Sequence, residues 1–224
     1  MNDKFSRPKI LCSKCLRLES CRYNGAVIPA PFIKRLSGFA DIITVCPEVA
    51  IGLGVPRKPI NITKSNSTLK LIQRETGLDV TEKMNGFSTK FLTSLDYIDG
   101  YILKYKSPSC GLYAVKYYTE TENGMPAGKG AGLFGKAVSE TFPDLPGETE
   151  TRLTNFRIRE FLLTKLFTFA KFREISENND IHKLTEFHAR NKFLMMVYNQ
   201  KKMRELGKIA ANSKKISMDE IFEN

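Results

Sequence analysis

Three short apolar segments in the first half of this chain have the composition of β-strands, and cysteines closely follow each of them. In an open α/β sheet, ligands collect at the carboxyl ends of the strands. Thiols that three strands deliver to that edge would share one site, and thiolates are the ligands that iron–sulfur clusters use. The segments are 9–11, 42–45 and 101–103, and the cysteines that follow them are Cys12, Cys15, Cys46 and Cys110.

Strand-like and helix-like segments alternate along this first half. Apolar residues at spacings of three or four indicate an amphipathic helix over 80–95, with Thr81 as its candidate N-cap. Residues 50–62 are rich in glycine and proline, which predicts a loop. This alternation predicts an α/β fold with a Rossmann-like, mostly parallel sheet and flanking helices. The predicted strands are 8–13, 41–45, 69–73 and 100–105, and a shorter helix is predicted over 30–38.

The chain changes character after residue 150, where apolar residues recur at helical spacing. We therefore predict two domains. The first, over 1–150, is the α/β domain. The second, over 151–224, is helical, basic and incomplete, and one of its helices spans 181–206 with a break at Gly207.

The net charge of +11 is unevenly distributed along the chain. Residues 1–150 carry 20 basic and 15 acidic side chains, whereas residues 151–224 carry 15 and 9. A basic surface favours anionic partners, so RNA is a candidate partner of the C-terminal segment. A helical surface of solvated lysines would explain the same charge without any partner.

A glycine-rich stretch over residues 130–135 fits the G-x-G-x-x-G pattern. The dinucleotide-binding fingerprint closes the first strand of a βαβ unit and has an acidic residue about 20 residues further on. Here the pattern comes late, and the Pro143–Pro146 turn follows it closely. We interpret it as a glycine loop that leads into a short helix over 133–141.

The expected cellular compartment constrains the chemistry of the cysteines. We find no apolar run of the roughly 20 residues that a transmembrane helix needs and no apolar leader, so we expect a cytoplasmic protein without a membrane partner. In that compartment, cysteines more often serve metal binding or catalysis than disulfides. The gap between Cys12 and Cys15 is typical of zinc and redox motifs, and both remain alternatives to a cluster.

Two of the cysteines have acid–base groups next to them in the sequence. Glu48 follows Cys46 across a proline, which makes their relative placement rigid. Ser107 and Ser109 precede Cys110. A carboxylate and a hydroxyl beside thiolates suit an acid–base step at a metal. Alternatively, Glu48 is a surface or capping residue, and the serines form the hydrogen bonds of a turn.

Four motifs of the chain resemble the thiouracil desulfurase family. They are Cys15-Leu16, Cys21-Arg22-Tyr23-Asn24-Gly25, Cys46-Pro47-Glu48-Val49 and Lys106-Ser107-Pro108-Ser109-Cys110-Gly111, and residues 74–81 look like the family's middle segment. The resemblance covers residues 7–112. Further on, residues 129–134 and 142–146 resemble a longer variant, and residues 187–194 are similar to the start of a second, uncharacterised domain.

The resemblance implies a 4Fe–4S cluster that Cys15, Cys46 and Cys110 hold, with one iron left open. The implied activity is the non-redox removal of sulfur from a thiolated nucleobase, nucleoside or related thiocarbonyl compound, with release of sulfide. Glu48 matches the family's acid–base carboxylate, and Ser107 matches its assisting hydroxyl. Three protein ligands and a vacant position are also what distinguishes a catalytic metal site from a structural one.

The remaining cysteines and two other functions complete the sequence-based hypotheses. We interpret Cys21 as a packing residue, whereas Cys12 is extra and would compete with Cys15 or close the fourth position of the cluster. The alternative function is a nucleic-acid-binding or protein-binding module with a structural metal. A third possibility is sulfur trafficking, in which the cluster carries sulfide onward to an acceptor.

Overall fold

The computed structural model describes residues 5–16, 18–65, 68–120, 124–178 and 180–211. The chain divides into two compact units. One is Arg7–Leu166, and the other is Phe167–Asn224 together with Met1–Ser6. The domain boundary that the sequence suggests at residue 150 remains a prediction.

A parallel sheet of four strands forms the centre of the larger unit, in the order β2-β1-β6-β9. This confirms the predicted α/β class with a mostly parallel sheet. The strands of the whole chain are β1 (Lys9–Ser13), β2 (Asp41–Val45), β3 (Asn61–Ser65), β4 (Thr68–Gln73), β5 (Leu78–Asp79), β6 (Gly100–Leu103), β7 (Val115–Tyr118), β8 (Pro126–Gly130) and β9 (Gly147–Thr149).

Five of these strands form a second sheet that the sequence did not predict, in the order β5-β4-β3-β7-β8. The predicted strand over 69–73 exists as β4, but it pairs antiparallel with β3, which begins inside the predicted loop over 50–62. Only two residues separate β3 from β4. Parallel strands need a crossover of a dozen residues or more, so this short connection dictates an antiparallel pair.

The helices predicted in the α/β region are present, and the larger difference from the prediction lies towards the C-terminus. The helix predicted over 133–141 is present with the same bounds. Helices and one 3-10 helix are α1 (Pro31–Leu36), α2 (Pro47–Ala50), α3 (Thr81–Thr93), α4 (Leu133–Thr141), the 3-10 helix Arg152–Thr154, α5 (Phe156–Glu177), α6 (Ile181–Tyr198) and α7 (Gln200–Ala211).

Two predicted details of the helices are wrong. Val80, not Thr81, is the N-cap of α3, because the Thr81 hydroxyl accepts the amide hydrogen of Leu71 at 2.8 Å. The single helix predicted over 181–206 is two helices that separate at Asn199, whose backbone is extended. The Asn199 side chain accepts from the Lys202 amide and so begins α7, and Gly207 lies inside that helix.

Both faces of the parallel sheet are buried. Alternate residues of β1 and β6 contact opposite cores: Ile10 and Ile102 pack with α1 and α5, whereas Leu11 and Leu103 pack with α3 and α4. Burial on both faces is the usual state of a parallel sheet. Cys12 follows this alternation into the core that contains Ile10 and has no exposed surface.

The second unit has its own small apolar core, which α6, α7 and the end of α5 form. Ile175, Leu184, Phe187 and Ala210 are its buried residues. Within the described residues, none of the helices has both the length and the apolar stretch required to cross a lipid bilayer.

Candidate functional site

A cavity of about 420 Å³ lies where β1, β2 and β6 end. Because these neighbouring strands are parallel, their carboxyl ends meet at one edge of the sheet, where ligands of α/β proteins collect. The five predicted site residues all line this cavity: Cys15, Cys46, Cys110, Glu48 and Ser107. The structure therefore brings the predicted residues together. Their individual roles remain predictions.

The first two cysteines are positioned by the pairing of β1 with β2. The Lys14 amide donates to the Val45 carbonyl at 2.8 Å, which extends this pairing beyond the strand and into the turn that carries Cys15. Cys46 follows β2 directly and is the N-cap of α2, with a proline at the first helical position. Proline is preferred there because its fixed φ suits the helix and no amide hydrogen is lost.

The third cysteine lies in a tight loop after β6. Lys106 has a φ of 55°, a left-handed conformation that costs a non-glycine residue about 1–2 kcal/mol. The loop then closes through the Gly111 amide, which donates to the Ser107 carbonyl at 2.8 Å. The Ser107 hydroxyl accepts from the amide of Cys110 at 3.1 Å, so the serine orients the backbone of the cysteine.

The glycine-rich stretch supports this loop through backbone hydrogen bonds. The amides of Gly132, Leu133 and Gly135 donate to carbonyls of residues 111, 108 and 109 at 2.7–3.2 Å. The first amides of a helix have no partner within it, so the start of α4 holds the cysteine loop in place. A Cβ on Gly132 would lie 2.5 Å from the Ser109 carbonyl oxygen, and one on Gly135 would lie 2.5 Å from the Gly111 oxygen.

The predicted helix over 133–141 is confirmed, whereas the loop before it is only residues 131–132, because Gly130 ends β8 and residues 133–135 belong to α4. We did not predict why positions 132 and 135 are occupied by glycine. The reason is that the backbone at the start of α4 closely approaches the backbone of the cysteine loop. The available signal was the spacing of Gly132 and Gly135, because glycines three residues apart at a helix start permit such an approach.

Sequence reasoning missed the residue that holds Glu48. Arg57 lies in the predicted loop over 50–62; its Nε donates to Oε2 of Glu48 at 2.8 Å, and its Nη2 forms an ion pair with the same oxygen at 2.7 Å. Its Nη1 donates to the carbonyls of Cys21 and Gly54. The other carboxylate oxygen of Glu48, Oε1, accepts from the Ser109 hydroxyl at 2.5 Å. No spacing or periodicity links these residues in the sequence.

The thiols of the cavity lie in a poorly hydrated environment. Burial, and to a smaller extent the neighbouring Cys21 and Cys46, raises the pKa of Cys15 to about 12, although Lys104 opposes this shift. Burial also raises the pKa of Cys110, beyond that of Cys15. Metal ligation requires thiolates, and a bound cation supplies the positive charge that stabilises them.

The two remaining cysteines occupy different places. Cys21 is 3% exposed, as expected of a packing residue, but it also lines the cavity, and its carbonyl lies 3.7 Å from the Cys46 sulfur. Cys12 is enclosed by the core and does not line the cavity. The sequence therefore misplaced both cysteines: it placed Cys12 at the shared site, and it did not place Cys21 there.

The donor set suits an iron–sulfur cluster. Four cysteines from three segments of the chain line one cavity, and cysteine thiolates are the usual ligands of such clusters. Among the described residues, no three Cys, His, Asp or Glu side chains are close enough to hold a single metal ion. The ligands of a cluster bind different irons and stand farther apart than those of one ion, so wider spacing is compatible with a cluster.

Comparison with known proteins matches both parts of the chain. The family model described as 2-thiouracil desulfurase matches residues 10–150, and that of a protein of unknown function (DUF1722) matches residues 192–224. An uncharacterised protein of Bacillus subtilis (strain 168), YbbK, is 36% identical over 110 residues, which are 46% of this chain and 72% of YbbK.

A solved structure resembles the fold. It is described as the [4Fe-4S]-dependent thiouracil desulfidase TudS, and it shares 26% sequence identity with this chain at a TM-score of 0.50. The match covers 70% of this chain and 99% of that structure.

Proposed function

Because the chain belongs to the 2-thiouracil desulfurase family, we propose that it removes sulfur from a thiolated nucleobase or a related thiocarbonyl compound, without redox chemistry, and releases sulfide. A 4Fe–4S cluster would be held by Cys15, Cys46 and Cys110, with one iron open to the substrate. The observation that carries the proposal is that three parallel strands end at one cavity, which these thiols line together with Glu48 and Ser107.

The reaction balances as a hydrolysis. Water adds its oxygen to the thiocarbonyl carbon, the carbon–sulfur bond breaks, and the products are a carbonyl compound and hydrogen sulfide. When bound, the cluster supplies a Lewis acid for the sulfur atom. The protein must accept a proton from the attacking water. Glu48 is suited to this because it lines the cavity and Arg57 fixes one of its oxygens through a hydrogen bond from Nε and an ion-pair contact with Nη2.

The size of the cavity supports a small substrate. Its volume of about 420 Å³ lies within the range of roughly 300–1,000 Å³ that is typical of small-molecule sites. A cavity of this size suits a single thiolated base or a compound of similar size. RNA as a partner of the basic C-terminal segment and a cytoplasmic location remain predictions.

The experiment is anaerobic reconstitution with iron and sulfide, followed by an assay for sulfide release from thiouracil. We expect a brown protein with about four irons per chain and sulfide release that depends on the cluster. A protein that stays colourless and iron-free after reconstitution contradicts the proposal. Salt-dependent RNA binding that survives loss of all three cysteines, without sulfide release, would favour the binding-module alternative.

A further inference from the structure

Three side chains form a continuous series of hydrogen bonds at the wall of the cavity. The Ser107 and Ser109 hydroxyl oxygens are 3.1 Å apart, and the Ser109 hydroxyl donates to Oε1 of Glu48 at 2.5 Å. The Ser107 oxygen also accepts from the Cys110 amide. Ser109 is 1% exposed, so water has little access to the middle of this series.

The direction of each bond follows from counting hydrogens. A serine hydroxyl has a single hydrogen, and that of Ser109 points to the Glu48 carboxylate, which has no hydrogen to donate. Ser109 must therefore accept from Ser107 at the 3.1 Å contact. Ser107 then donates towards Ser109 and keeps one lone pair of its oxygen for the cavity. The hydrogen bonds run in one direction, from the Cys110 amide through Ser107 and Ser109 to Glu48.

We infer that Ser109 is a positioning residue that connects Ser107 to Glu48 as a proton relay for the attacking water. This inference rests on the proposed function. The Ser107 oxygen accepts the proton of the water, the Ser107 hydrogen moves to the Ser109 oxygen, and the Ser109 hydrogen moves to Oε1 of Glu48. Each serine gains one proton and loses one, so the net transfer is from the water to the carboxylate.

The contacts of Glu48 are consistent with Oε1 as the oxygen that receives the proton. Its Oε2 already accepts a hydrogen bond from Nε of Arg57 and is paired with Nη2, which leaves Oε1 as the oxygen that receives the proton. Among the described residues, the side chain that donates a hydrogen bond to Oε1 of Glu48 is Ser109. Glu48, Ser107 and Ser109 all line the cavity, and in the relay Ser107 is the member that accepts the proton of the water.

The test compares Ser109→Ala with Ser109→Thr in the cluster-loaded protein. General acid–base groups contribute about 10²–10⁴-fold to rate, so we expect Ser109→Ala to lower kcat by about 10²-fold and to leave KM within about threefold. Threonine retains a hydroxyl and should restore most of kcat. Ser94→Ala, which removes an exposed hydroxyl outside the cavity, should leave kcat unchanged.

A second readout does not depend on turnover. The infrared carboxylate band of Glu48, identified by its loss in Glu48→Gln, should shift in Ser109→Ala and return in Ser109→Thr. An unshifted band, or a kcat within threefold of the wild type in Ser109→Ala, would overturn the relay. If the wild-type protein releases no sulfide, the proposed function fails, and with it the relay as a catalytic device. The band then still decides whether Ser109 bonds to Glu48.

Discussion

Arg57 binds a single oxygen of Glu48, Oε2, through two of its nitrogens, at 2.8 and 2.7 Å. Both side chains are largely buried, with 4% of the Arg57 side chain and 13% of the Glu48 side chain exposed. The third nitrogen of Arg57 binds the carbonyls of Cys21 and Gly54. The guanidinium therefore links the carboxylate of the site to the segment that carries Cys21.

Replacement of Arg57 by methionine should strongly destabilise the protein. The change leaves the Glu48 carboxylate buried without its cation, and breaking a buried ion pair in this way costs about 3–5 kcal/mol. Urea denaturation of the metal-free protein measures the loss. Lys58→Met is the matched control, because Lys58 pairs with Glu75 at the surface, where a pair contributes at most about 1 kcal/mol. Equal losses in the two variants would contradict this account of Arg57.

The assignment of ligands makes a prediction for each of the five cysteines. Single replacement of Cys15, Cys46 or Cys110 by alanine should abolish or greatly reduce bound iron, because each would remove one of three protein ligands. Replacement of Cys12 or Cys21 should leave iron near the wild-type value. Iron counting and visible absorbance after anaerobic reconstitution measure this. Loss of iron in Cys21→Ala alone would assign the ligand role to Cys21 instead.

A methyl group at position 132 should disturb the cysteine loop. A Cβ there would lie within 2.7 Å of three carbonyl oxygens, those of Ser107, Pro108 and Ser109. We expect Gly132→Ala to lower both iron content and thermal stability. Gly86→Ala is the control, since a Cβ at Gly86 in α3 meets nothing within 4 Å. Alanine in a helix is favoured over glycine by about 0.5–1 kcal/mol, so this variant should gain stability. An unchanged iron content in Gly132→Ala would refute the supporting role.

The stability of the metal-free protein should fall at alkaline pH, in part because of Cys12. Burial raises the pKa of this thiol from 9.0 to about 12. Above pH 9 the unfolded chain ionises the thiol while the folded chain keeps it protonated, so stability is lost as the pH rises from 9 towards 12. At pH 10, Cys12 should account for on the order of 1 kcal/mol of the loss.

Chemical denaturation at pH 8 and pH 10 measures this effect. Cys12→Ala removes the titrating group, so its stability should decrease less between the two pH values than that of the wild type. The absolute stability of the variant differs for packing reasons, and the comparison therefore uses the change with pH. Parallel changes in the two proteins would show that Cys12 does not contribute.

The sequence predicted the parts of the site that local pattern determines. Apolar runs identified β1, β2 and β6, and the resemblance selected Cys15, Cys46 and Cys110 as the ligands. Three features escaped prediction because they depend on contacts between segments, which the pattern within one segment does not report. These are the second sheet, the hold of Arg57 on Glu48, and the support that Gly132 gives to the loop of Cys110. Periodicity reports which face of a segment is buried, but not which distant segment covers it.

The parallel order of β2, β1 and β6 has a consequence for the biogenesis of the protein. Cys15 and Cys110 are 95 residues apart in the sequence, and only strand pairing brings their segments to the same edge. A chain emerging from the ribosome has no complete set of thiols until β6 and the loop after it have been synthesised, and α4 must follow to support that loop. A cofactor that these thiols hold would therefore be loaded only after the chain has been translated through α4.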